Sequence, residues 1–287
     1  MTLGTKLDPW VRALLVDPFG KGALTANPRG LESAFGMVYP LVDGVPDFRR
    51  RQAGESGDAE VWRAGQEQYE AWSTRLVEED ARQDYAAEIE GVRAVYADIP
   101  ILGRVLDVGG HQGRLREFLR PDQEYLSCDP YLEVFAPLDR QAKLLKAYRC
   151  LSEPCNFVAA HAEHLPLAEE SFDTVHMRSV IDHFRDPAVA LIEAFRVLRR
   201  GGSLIVGLYV EGGRNGRRTP KEAAKDVIRA ALPVVGITRY SDHHVWRPAY
   251  AELRALIESS GFEVDKVHWQ AGWNDRVCYL RAQKPVQ

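Results

Sequence analysis

Val105-Leu106-Asp107-Val108-Gly109-Gly110-His111-Gln112-Gly113-Arg114-Leu115 is the stretch that decides the fold. An apolar strand carries an acid, passes through a glycine-rich turn and enters a helix predicted over 113–120, which stops at Pro121. This order sets backbone N–H groups and a helix N-terminus against a small polar ligand at the carboxyl end of a parallel strand. Strand and helix signals then alternate, as in parallel βαβ units. Strands are predicted at 103–108, 124–128, 155–160, 172–177 and 203–210. A helix at 187–199 turns Val189, Ile192, Phe195 and Leu198 towards the core and ends at Gly201-Gly202. After a helix at 248–260, segments 262–270 and 274–282 read as a terminal antiparallel pair.

Asp129 follows the second strand, 22 residues after Asp107. An acid there is placed to accept hydrogen bonds from both hydroxyls of a ribose. A nicotinamide-dependent dehydrogenase would share that acid. Two details argue against it. The turn Gly109-Gly110-His111-Gln112-Gly113 is not the G-x-G-x-x-G that brings backbone close to a pyrophosphate. Asp107 would also repel a phosphate and suit a cationic amino acid instead.

The chain has 287 residues, room for one α/β domain and a small appendage. A formal charge of −4 provides no basic footprint for nucleic acid. No segment approaches a membrane span, and Met1–Trp10 holds no apolar run of the signal-peptide kind. Cys128, Cys150, Cys155 and Cys278 lack metal-knuckle spacing and read as reduced thiols, so a cytoplasmic location is expected. Residues 1–50 are dense in turn formers and predict a small β-rich module. Residues 51–100 read as a helical linker, with Tyr85, Ile89, Val92 and Tyr96 on one face. The remainder, 101–287, is the α/β domain, with 211–247 inserted as a lid whose helix is opened by Thr219-Pro220.

With these residues in view, the chain resembles class I S-adenosylmethionine-dependent methyltransferases, in particular the small-molecule branch that includes ubiquinone- and menaquinone-pathway enzymes. Val105–Leu115 matches that family's first motif, and Tyr125-Leu126-Ser127-Cys128-Asp129 its second-strand acid. Ala160-His161-Ala162-Glu163-His164-Leu165-Pro166 matches the adenine-side segment, and Asp182-His183-Phe184-Arg185-Asp186-Pro187 the turn after strand four. The resemblance implies a Rossmann-like seven-stranded mixed sheet with helices on both faces. It also implies S-adenosylmethionine held by Asp107, Gly109, Gly110, His111, Gly113, Asp129, His161, Ala162, Glu163 and Arg178. There are two departures. His111 replaces the usual middle glycine, which is acceptable where φ is negative. His161 stands where an aspartate commonly meets the adenine amino group.

The N-terminal unit resembles a small zinc-ribbon activator of tRNA and release-factor methyltransferases, through Leu15–Gly22 and Glu32–Pro46. The positions of that family's cysteines fall on Asp17, Gly20, Glu32 and Phe35, so no thiolate zinc site is expected.

Methyl transfer from a sulfonium needs alignment above all, with a base where the acceptor must lose a proton. His243, His244 and His183 are the candidate bases, against a plain reading as surface or turn-fixing histidines. Arg214, Arg217, Arg218 and Trp246 are candidate acceptor contacts for a sugar-linked or phosphate-bearing small molecule, against a solvated face and ordinary packing. The expected reaction is methyl transfer to a small polar acceptor. The alternatives are a tRNA or protein acceptor reached through the N-terminal module, and a cofactor-binding protein without catalysis.

Overall fold

The computed structural model describes residues 5–49, 76–216, 219–220, 222, 224–225, 244 and 246–286. Its centre is the strand β7 (Val105–Val108), flanked by β8 (Tyr125–Cys128) on one side and β10 (Phe172–Arg178) on the other. Beyond β8 lies β9 (Cys155–Val158). Beyond β10 lie β11 (Leu198–Tyr209), β13 (Val277–Gln283) and β12 (Glu263–Trp269), with β13 antiparallel to both its neighbours. These are the seven strands expected. An eighth, β1 (Thr5–Lys6), pairs parallel with β9 at the sheet edge. It joins residues about 150 apart in sequence, which no local pattern announces.

Alternation along each strand divides the core in two. Leu106, Val108, Leu204 and Val206 face a layer built with the helices Pro187–Val197 and Tyr250–Ser259. Val105 and Ile205 face the opposite layer with the helix Tyr85–Asp98. Because the central strands are covered on both sides they read as continuous apolar runs. Tyr85, Val92 and Tyr96 are buried as expected on their helix, and Val95 joins them.

Three local readings need correction. The segment after the glycine turn is a 3₁₀ turn, Arg114–Phe118, rather than an α-helix over 113–120. In the helix Pro187–Val197 the buried face is Ala190, Leu191, Ala194 and Val197, while Ile192 is 57% exposed. Two apolar stripes overlap on that helix, and the one that contains the small alanines lets it sit close to the sheet. Strand five begins at Leu198, directly after the helix, rather than at 203. Of the expected helical linker, 51–75 lies outside the described residues, as does most of 217–243. Thr219, the N-cap that the sequence suggests, accepts the Glu222 N–H, and the Glu222 carboxylate in turn accepts the Thr219 N–H, a reciprocity the sequence reading did not name.

The N-terminal residues form β2 (Leu24–Asn27), β3 (Gly30–Ser33) and β4 (Val38–Tyr39) as one antiparallel sheet, and β5 (Leu41–Val42) with β6 (Val45–Pro46) as a hairpin. Asp17, Gly20 and Phe35 come together: a Cβ on Gly20 would lie 3.0 Å from the Phe35 ring and 3.1 Å from Asp17 Oδ2. Glu32 turns away to Asn27.

Candidate active site

The glycine turn after β7 is packed too tightly for side chains at two positions. A Cβ on Gly109, whose φ is +72°, would stand 2.4 Å from Val180 Cγ1. One on Gly110 would meet Asp107 Oδ2 at 2.6 Å. His111 is the exception that sequence reasoning placed at negative φ. It sits at φ 47°, in the left-handed region, which costs roughly 1–2 kcal/mol for a residue with a Cβ. Two bonds hold it there. Its N–H donates to Asp129 Oδ2 (3.0 Å) and its carbonyl accepts from Ser127 Oγ (3.0 Å). Burial lowers the pKa of the imidazole below its usual value, against the raising pull of Asp129.

Asp129 ends β8 almost wholly buried, and its other oxygen accepts the Tyr131 N–H at 2.9 Å. Burial raises its pKa, opposed by His111 and by the two backbone donors. Asp129, Gly109 and His111 line a cleft that opens to solvent, together with His161, Ala162 and Glu163. Glu163 accepts the Asp186 N–H at 3.2 Å, and burial raises its pKa. A turn of backbone donors, a buried carboxylate and apolar lining residues are the groups that could hold an aminoacyl chain, a ribose diol and a purine. The donor set fits S-adenosylmethionine.

The N-terminal residues bond directly to the segment 159–167 that adjoins the cleft. Phe48 N–H donates to Ala159 O and Ala159 N–H to Pro46 O, while Val16 N–H donates to Pro166 O. Lys21 Nζ reaches Glu193 Oε2 (2.6 Å) and Leu165 O (3.3 Å). Phe19 packs on His164 at 4.7 Å between ring centres. Arg49, held by Asp47, donates to Pro130 O at 2.8 Å, so one segment touches both rims of the cleft.

Asp107, expected at the cofactor's amino end, lies beneath the turn. Tyr125 Oη donates to its Oδ2 and His176 Nδ1 lies against its Oδ1, each at 2.7 Å. His176 Nε2 meets Tyr96 Oη at 2.7 Å, completing a buried chain of four side chains. Sequence reasoning missed His176 and both tyrosines. The only signal was a histidine inside the apolar run Val175-His176-Met177. Gly113, at φ 83°, shapes the turn's exit and packs on Tyr125 and Cys155. Arg178 reaches Glu88 on the helix Tyr85–Asp98 (3.3 Å), while the next residue, Ser179, lines the cleft.

On the acceptor side, His183 lines the cleft beside Val180 and Phe184. Its ring lies 4.4 Å from that of His244, with the planes 35° apart. Both turn Nε2 to the Asp182 carboxylate, at 3.9 Å from Oδ1 and 3.4 Å from Oδ2 respectively. Trp246 N–H donates to Asp182 O at 3.1 Å, tying the incoming segment to the turn. Two of the three candidate bases and the candidate Trp246 are thus brought together, around an aspartate that the sequence did not single out. Arg214 is elsewhere, over the Trp269 ring (5.5 Å) and 3.5 Å from Asp275. His243, Arg217 and Arg218 lie outside the described residues.

A protein family described as a methyltransferase domain matches residues 106–206. The demethylmenaquinone methyltransferase of Renibacterium salmoninarum is 29% identical over 60% of this chain and 67% of its own length. The ubiquinone/menaquinone biosynthesis C-methyltransferase UbiE of Agrobacterium fabrum is 32% identical over 36% of this chain and 40% of its own. Among solved structures, the Burkholderia thailandensis 1,6-didemethyltoxoflavin-N1-methyltransferase, with its acceptor and S-adenosylhomocysteine bound, superposes with a TM-score of 0.53. That match covers 82% of this chain and 93% of the other at 16% identity, a likeness of fold. The N-terminal module lies outside the matched family region.

Proposed function

We infer that this chain, an S-adenosylmethionine-dependent methyltransferase, methylates a small polar acceptor carrying an ionisable hydroxyl or amine. The enzyme class and its cofactor rest on the site geometry together with the methyltransferase-domain match and the methyltransferase relatives. The acceptor reading rests on one observation: His183 belongs at once to the cofactor cleft and to the Asp182–His183–His244 group. S-adenosylmethionine, when bound, supplies a methyl group already activated on sulfur. This chain's part is to hold the acceptor in line, shed water and remove one proton at that group.

Its quinone-pathway relatives support a small molecule as acceptor. Arg214 gives no support for a phosphate, since Asp275 and Trp269 already engage it. We assign the N-terminal module a packing role behind the segment 159–167, in keeping with its bonds to Ala159, Leu165 and Pro166. The four cysteines are free thiols, which suits a reducing cytosol. Among the described residues no helix is long and apolar enough to cross a membrane.

A screen of hydroxylated and amino acceptors with methyl-labelled cofactor tests the reading. With an acceptor in hand, H183A/H244A should lose about 10²–10⁴-fold in turnover and keep its S-adenosylhomocysteine affinity. Full turnover in that double variant would move the acceptor elsewhere.

A further inference from the structure

We propose that Asp182, His183 and His244 form a binding site for a divalent transition metal of the zinc class, at the acceptor end of the cofactor cleft. One ligand atom from each residue lies within 4.8 Å of the other two. In a tetrahedral site with metal–ligand distances near 2.0–2.1 Å, neighbouring ligand atoms are about 3.4 Å apart. His244 Nε2 and Asp182 Oδ2 are already at 3.4 Å. His183 Nε2 stands 3.9 Å from Asp182 Oδ1, a gap that a small ring rotation closes.

The carboxylate itself points to a cation. Asp182 is 7% exposed, and its Oδ1 is buried with no hydrogen-bond partner among the described residues. A buried carboxylate oxygen calls for a donor or a positive charge, and two imidazole nitrogens, which are also metal ligands, stand 3.9 and 3.4 Å from this carboxylate. The frame is in place without the ion. His183 N–H donates to Val180 O at 2.9 Å, and Trp246 N–H to Asp182 O at 3.1 Å, so both segments are fixed where they carry their ligands. Two nitrogens and one oxygen suit zinc, cobalt or iron(II) over magnesium or calcium, which take oxygen ligands. Three protein ligands leave an open position, the arrangement of catalytic rather than structural zinc.

His183 also lines the cleft, so the open position faces the acceptor. An acceptor hydroxyl bound there becomes more acidic and gives its proton to water. The oxygen–methyl bond then forms as the carbon–sulfur bond breaks, with the electron pair staying on sulfur and nothing oxidised or reduced. This use of the metal rests on the acceptor position proposed above; the binding of the metal does not.

The test titrates metal-stripped full-length protein with Co²⁺, followed by visible absorption and calorimetry, with Zn²⁺ as the displacing ion. The expected result is about one equivalent bound, with the spectrum of a low-coordinate nitrogen–oxygen site. D182N, H183A and H244A should each lose at least about tenfold in affinity. H268A removes a histidine that pairs with Asp98 outside the group and should bind as the wild type does. Wild-type protein that takes up no Co²⁺, or three variants that bind as tightly as wild type, would overturn the site. Turnover and S-adenosylhomocysteine affinity in the same variants separate the two readings. Loss of turnover without any Co²⁺ binding in the wild type discards the metal and keeps the acceptor position. Co²⁺ binding with full turnover after chelation keeps the site and discards its use in transfer.

Discussion

The His111 N–H and Asp129 Oδ2 are 3.0 Å apart, and that bond joins the glycine turn after β7 to the carboxylate that follows β8. The carboxylate we propose for the ribose therefore also holds a side-chain-bearing residue at φ 47° in that turn. The turn and the carboxylate cannot be altered independently.

Asp129→Ala removes the ribose acceptor and releases the turn together. Affinity for S-adenosylhomocysteine should fall by at least about 1.5–3 kcal/mol, the range for a hydrogen bond to a charged group. Calorimetry that finds unchanged affinity would break the link between Asp129 and the ribose.

Gly109→Ala should cost at least about tenfold in the same affinity, because its Cβ would run into Val180 at φ +72°. Gly216→Ala is the control. Its φ of +66° carries the same conformational cost, but no described residue lies within 4 Å of the added methyl. Equal effects of the two on cofactor affinity would mean that backbone strain alone is being read.

Acidification tests the buried imidazole of His111. Its folded-state pKa lies below 6.5, so between those two values the unfolded chain binds more protons than the folded one. The contribution is complete above the unfolded value and is lost as pH falls through the folded one. The raised pKa values of Asp129 and Glu163 act in the opposite sense. Unfolding of wild type and His111→Gly, compared at about pH 7.5 and about pH 5, isolates the histidine. Wild type should lose more stability on acidification, and a difference that does not change with pH would contradict a buried neutral ring.

His176→Ala would strand the Asp107 carboxylate and the Tyr96 hydroxyl in the core. The loss should be about 3–5 kcal/mol, as for a buried charge deprived of its partner. Tyr96→Phe removes only the end of the chain and should cost about 1–3 kcal/mol. Denaturant unfolding measures both, and a cost below about 1 kcal/mol for His176→Ala would mean that water or a rearranged Tyr125 replaces it.

Sequence was most informative where local backbone chemistry dictates structure. The strand, the tight glycines and the acid 22 residues on could be read because each residue answers to its immediate neighbours. What escaped was long-range. His183 and His244 are 61 residues apart, and the docking of Trp246 on the Asp182 carbonyl helps to bring them together. The bonds of Asp107 to His176 and Tyr125 come from neighbouring strands, which its own stretch of sequence does not announce. The position of His111 was readable, but not its sign of φ, because the bond that pays for the strain comes from β8. The exposed Ile192 was missed because periodicity gives the width of an apolar stripe but not which neighbour can approach it.

The pairing of β1 with β9 has a consequence for how the chain is made. Thr5 and Lys6 leave the ribosome long before Cys155 and Asn156, their partners in the sheet. At elongation rates of 5–20 residues per second the wait is roughly 8–30 s. Until then the Asp8 N–H and carboxylate lack the Asn156 side chain that will bond both of them. The nascent chain must carry β1 unmatched, and β9, once formed, offers a bare edge until β1 returns to it. Vectorial synthesis thus delays the placing of β1 until β9 has been made. In pulse-labelled refolding, the amides on the outer edge of β9 should gain protection after those it shares with β8, and simultaneous protection would show that the edge closes with the rest of the sheet.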